Sequence, residues 1–182
     1  QTKIGFLNTQ IPLNELFWKI PIIPYYLQKT GIIKKQMKMV CLNKQETNTL
    51  NENIQRIKWV DQHIIKYVDN PNAHKIKYKD IRKISIGLSK KDMISYRKKK
   101  KGAFYNCIVC MVRILYMGNF REFHVKVFNT GKLEIPGIQN DMMLVLLLQK
   151  LIYILQPFFK KKLICEKDKI ETVLINSNFT CN

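Results

Sequence analysis

The sequence predicts an α+β chain in which a curved antiparallel sheet carries helices on one face. Two alternating apolar runs come first, 103–114 and 121–128. The second feeds through Asn129-Thr130-Gly131-Lys132 into Leu133-Glu134-Ile135, so the three segments read as an antiparallel meander. An apolar helix, Met142 to Leu155, follows directly, capped by Asn140 or Asp141 and ended by Pro157. A strand-then-helix pattern precedes the meander at 31–57. Strands in a row with helices before and after them pack as a two-layer α+β unit. One face of that sheet has no assigned cover and is a candidate binding surface.

Taken in order, residues 1–30 are apolar but punctuated by Pro12, Pro21 and Pro24, which break any long helix. They read as an extended arm laid on the rest of the chain. From Gly31, residues Ile33, Lys35, Met37, Met39 and Cys41 share one strand face, with Lys34, Gln36, Lys38 and Val40 on the other. Leu50, Ile54 and Ile57 mark a helix over 47–57. A second helical pattern over 58–68 buries Val60, Ile64, Ile65 and Val68, and Asp69-Asn70-Pro71-Asn72 stops it. Residues 75–101 are the most basic stretch and form, with 58–74, an insert at about 58–101. Within it Ser89 caps a short helix, Asp92 reaching back. Arg97 to Lys101 reads either as a solvated loop or nuclear-localisation run, or as a phosphate contact. Leu115 to Arg121 is a turn, and Val173 to Cys181 begins a new strand.

The chain has 182 residues, 46% of them hydrophobic and 10% aromatic, which is enough for a packed core and excludes wholesale disorder. Its 32 Lys plus Arg stand against 13 Asp plus Glu, a net charge of +19. Abundant Lys, Asn and Ile are also what AT-rich coding would produce, but that bias does not remove acids. The excess points to a polyanionic partner. Five cysteines, an odd count without a repeating pattern, suit a reduced intracellular setting. The 14-residue run from Met142 is short for a bilayer span, so no membrane partner is expected. Gln1 in place of Met, and a strand-like run at Asn182, suggest a piece of a longer protein.

Catalytic patterns are missing. Cys107 and Cys110 match CxxC, but no second pair or His cluster follows, and within a strand the two point to opposite faces. His63, His74 and His124 lie far apart without carboxylate companions at triad or metal spacing, and no phosphate loop, dinucleotide fingerprint or nucleophile elbow appears. Neither an enzyme nor a cofactor is expected.

The run Phe104-Tyr105-Asn106-Cys107-Ile108-Val109-Cys110-Met111-Val112-Arg113-Ile114, followed by Phe128-Asn129-Thr130-Gly131-Lys132-Leu133-Glu134-Ile135-Pro136-Gly137, resembles one lobe of the TATA-box-binding protein family. The wording is most similar to the divergent members of large nucleocytoplasmic DNA viruses. The resemblance implies a first lobe over 31–160, and over 161–182 a linker with the opening strand of a second lobe. It implies a DNA-binding factor of transcription initiation that lays its sheet in the minor groove of promoter DNA, wedging apolar side chains between base steps. Double-stranded DNA and a viral RNA polymerase or general transcription factor would be its partners, in the host nucleus, a cytoplasmic virus factory or the virion. Phe128 matches the family's hairpin phenylalanine and is the implied wedge. Lys132 and Arg113 match phosphate-contacting positions, and Phe104 is the nearest aromatic to a second wedge. Lys126, Gln36, Lys38, Asn176 and Asn178 fall on the groove-facing side, and Lys99, Lys100 and Lys101 flank it. Glu134, Pro136 and Lys126 depart from the family pattern, Lys126 standing at a position that is usually aliphatic, and a carboxylate facing phosphates argues against strict TATA reading. The alternative is a basic packaging or protein-interaction module that has lost base reading.

Overall fold

A computed structural model describes residues 1–94, 102–166 and 169–175. Its strands are β1 (Thr2–Phe6), β2 (Gly31–Cys41), β3 (Val60–Asp69), β4 (Tyr78–Gly87), β5 (Cys107–Tyr116), β6 (Asn119–Phe128), β7 (Lys132–Pro136) and β8 (Glu171–Leu174). The helices are α1 (Leu13–Lys19), α2 (Lys44–Gln55), α3 (Lys90–Ile94) and α4 (Asp141–Leu155). All eight strands join one sheet in the order β3-β4-β2-β5-β6-β7-β1-β8, each antiparallel to its neighbours. The α+β class expected from the sequence is what the fold displays.

Strand parity divides the sheet into a core face and an open face. On the core face, Met37 and Met39 of β2, Ile84 and Ile86 of β4, Cys110 and Val112 of β5, and Val125 and Val127 of β6 share one hydrophobic core with α1, α2 and the buried side of α4. That side is Leu144, Leu147, Leu148, Leu151 and Leu155, spaced three and four apart as one helical stripe. Each fully buried leucine contributes roughly 1.5–3 kcal/mol. Helix α4 with the turn after it is long and apolar enough, by length and composition, to cross a membrane. Here its leucine stripe is spent on the sheet. Asn140 caps it, its side chain accepting from the Met143 N–H. At α2 the cap is reciprocal: Asn43 accepts from the Glu46 N–H while the Glu46 carboxylate accepts from the Leu42 N–H.

Three expectations are corrected. Residues 1–30 are no arm laid on the outside. Strand β1 sits between β7 and β8, and Leu16, Phe17 and Ile20 are fully buried around α1, which Pro12 and Pro21 bracket. Residues 60–69 form a strand, not a helix. Val60 and Ile64, four apart, share a face in either structure, and a bulge between Ile64 and Lys66 then shifts the parity so that the pattern mimics a helix. Ile64 and Ile65 are exposed there. The basic stretch conceals β4, which lies between β3 and β2 with Ile81, Ile84 and Ile86 buried. In addition, helix α2 starts three residues before the expected Thr47, because Asn43 caps it, and β5 and β6 extend through the segment read as a turn.

The β5–β6 hairpin turns on only two residues, Met117 at φ 48° and Gly118 at φ 76°. Such a turn requires left-handed backbone at both positions, where glycine and asparagine fit and methionine is strained. Met117 is 83% exposed and loses little packing on replacement. Met117→Asn is expected to add about 1 kcal/mol of stability and raise the melting temperature by about 2–4 °C in calorimetry.

Candidate nucleic-acid interface

The register sets the open-face residues in ranks across the sheet. One rank runs Asp61, Ser85, Gln36, Val109, Lys126, Glu134 and Ile4. A neighbouring one holds His63, Lys83 and Lys38, then the Cys107–Phe128 pair and the Lys132–Phe6 pair. Phe128, Lys132, Lys126, Gln36 and Lys38, expected together from the sequence, therefore do share this face, all of them half-buried. Phe104 precedes β5 and is 58% exposed over the same surface.

The face repeats one arrangement three times: an aromatic ring with a lysine ammonium over it. Lys38 Nζ lies 3.6 Å from the Tyr105 ring centre, Lys126 Nζ 4.4 Å from that of Phe104, and Lys132 Nζ 5.9 Å from that of Phe128. Each contact holds a cation beside a flat apolar surface. Lys126 also donates to Glu134 Oε1 at 2.5 Å, so this open-face carboxylate is neutralised by its cross-strand neighbour.

The face is not bare, contrary to expectation. Helix α3 lies across it, because Lys34 of β2 donates to Asp92 Oδ1 at 2.5 Å and the Lys90 N–H donates to Glu122 of β6. Of the expected cap the Asp92 half forms: Asp92 Oδ2 accepts from the Ser89 N–H, and the Ser89 hydroxyl donates to the same oxygen and so does not cap a helix N–H. Burial alone would raise the Asp92 carboxyl, yet these bonds and Lys34 hold it below its ordinary value. Burial, reinforced by Lys91, Lys34 and Lys126, lowers the His124 imidazole against the opposing pull of Asp92, so it is neutral at pH 7.

Arg113 is placed differently from the phosphate role implied for it. It is 5% exposed, and its guanidinium donates to the carbonyls of Lys29 (3.0 Å), Tyr25 (3.0 Å) and Leu27. Its donors are committed to the 21–30 segment, which crosses that end of the open face. Asn176, Asn178, Lys99, Lys100 and Lys101 lie outside the described residues.

Cys107 and Cys110 do point to opposite faces. Burial pushes their thiols up to about 11 and about 12, which keeps both protonated. What sequence reasoning missed at this site is Tyr105 as a stacking partner, the α3 crossing, and Lys34, Lys83 and Lys91 as its cations. Period-two alternation marks Lys34 and Lys83 as open-face residues, whereas the Lys34–Asp92 bond spans 58 positions and no local pattern signals it. No family model, curated protein or solved structure matches the chain.

Proposed function

We propose that this protein binds DNA through the open face of its sheet, as a transcription-initiation factor of the kind its sequence resemblance implies. The observation that carries the reading is the row of three lysine–aromatic pairs on that face. Lysines suit phosphates and release counterions on binding; exposed rings suit the faces of unstacked bases. Phe128 and Phe104 are the wedges, and Lys38 and Lys132 are the phosphate contacts nearest them. The polymerase or general factor it recruits belongs to the same proposal.

A second reading is favoured by α3 and by the Lys126–Glu134 pair, which break the continuity of a groove-shaped surface. In it the protein packages or coats nucleic acid through charge alone. DNA bending measured by fluorescence transfer between duplex ends separates the two. If the wedge reading holds, the protein bends promoter duplex and Phe128→Ala abolishes the bend, while Lys132→Gln weakens binding and lowers the salt slope by about 1. A straight duplex with equal affinity for promoter and scrambled sequence establishes the second reading and removes the first.

A further inference from the structure

Beside α3 the open face holds a solvent-open cavity of about 410 Å³, lined by that helix, the sheet and residues 102–104. Its floor is Val109 and Met111 of β5, and Phe104 forms one wall. Lys34, Lys83, Lys91 and Lys126 converge on it from four separate elements, and His124 completes the ring. Asp92, the one carboxylate in the lining, is already engaged by three donors. Lys34 is shared with Asp92 and Lys126 with Glu134, so the four ammoniums outnumber the two carboxylates paired with them, and the excess charge favours an anion.

The cavity's size and shape narrow the class of anion. A volume of this order is that of a small-molecule site, far below what a duplex needs. An apolar floor and an aromatic wall suit a flat heterocycle, and the Gln36 amide and neutral His124 present hydrogen-bonding groups at its edge. We infer that this cavity takes one unpaired nucleotide of a nucleic-acid strand, its base on Val109 and Met111 against Phe104 and its phosphate among Lys34, Lys83 and Lys91. A strand fits better than a free nucleotide because the lysine–aromatic pairs at Tyr105 and Phe128 extend the path beyond the pocket. The inference rests on the reading of this face as a nucleic-acid surface and narrows it: Phe104 stacks on an unpaired base and does not wedge into intact duplex, a role left to Phe128.

The test uses the full chain with three probes: a 12-nucleotide single strand carrying 2-aminopurine, the blunt duplex of the same sequence, and adenosine monophosphate. The single strand is expected to bind at least about fivefold more tightly than the duplex, with a change in 2-aminopurine fluorescence. Phe104→Ala should weaken single-strand binding by roughly 5- to 150-fold, the range of a lost base–aromatic stack. Ala103→Trp, which fills the pocket while keeping every lysine, should do the same, and Tyr153→Ala on α4 should change nothing. Adenosine monophosphate displacing the strand at comparable concentration overturns the assignment to a strand. Equal affinity for strand and duplex, untouched by Ala103→Trp, overturns the pocket and leaves the face reading standing. If no probe binds at all, both are overturned.

Discussion

Arg113→Leu is expected to lower the melting temperature by roughly 6–12 °C, corresponding to about 3 kcal/mol or more in a chain of this size. The side chain rises from the open face of β5 and gathers three backbone carbonyls, those of Tyr25, Leu27 and Lys29. Its guanidinium also lies 5.6 Å from the Tyr25 ring centre and 5.2 Å from that of Phe120. A leucine fills some of the volume but leaves three acceptors unmatched and releases the 21–30 crossing. Arg113→Lys should rescue little, since one ammonium cannot reproduce a planar fork reaching three acceptors. Thermal melting, together with limited proteolysis between residues 21 and 30, reads the outcome. A lysine variant melting within a degree of the wild type, but weakened in DNA binding, would restore the phosphate role that the sequence resemblance implies.

Lys35 is expected to make stability rise between about pH 8 and pH 10.5. Its side chain belongs to the core face of β2 and is 2% exposed, with Nζ donating to the Ile20 carbonyl at 2.6 Å and lying 5.3 Å from the Phe17 ring centre. Burial lowers its ammonium from 10.5 to about 8, and the Cys110 thiol beside it pulls weakly the other way. Below pH 8 both folded and unfolded chains carry the proton, and the folded chain bears the whole cost of a buried cation. Between the two values the unfolded chain holds more protons than the folded one, so each step upward favours folding. The gain amounts to at most about 3 kcal/mol. Buried cysteines titrate in the same region with the opposite sign, so the comparison must be a difference. Wild-type stability minus that of Lys35→Met, from urea unfolding at pH 7 and pH 10, should increase by up to that amount. A difference that stays flat with pH would mean that Lys35 is not held as a buried ammonium.

The parts of this fold legible in the sequence are those in which both faces of a strand announce themselves. In β6, Phe123, Val125 and Val127 alternate with His124 and Lys126, and the structure keeps every one on its expected side. Gly131 and the Asn140 cap likewise follow from local chemistry. Strand β4 escaped because Lys79, Arg82 and Lys83 dominate its composition, although Arg82 is spent on Asp80 and Asn51 beneath the sheet. Strand β3 escaped because a bulge forged a helical spacing. The candidate site divides along the same line. Gln36, Lys38, Lys126, Phe128 and Lys132 share a face through a period of two, which a sequence displays. Arg113 owes its role to carbonyls more than 80 positions away, and the pocket owes its α3 wall to a bond from Asp92 to Lys34, neither of which leaves a local trace.

Strand β1 has a bearing on biosynthesis. Its two neighbours end at Pro136 and Leu174, so residues 2–6 emerge from the ribosome well before either flank of their slot has been made. At about 5–20 residues per second, that interval is on the order of ten seconds. Throughout it Ile4 and Phe6 travel unpaired on the nascent polypeptide, and docking them closes the sheet as a late event.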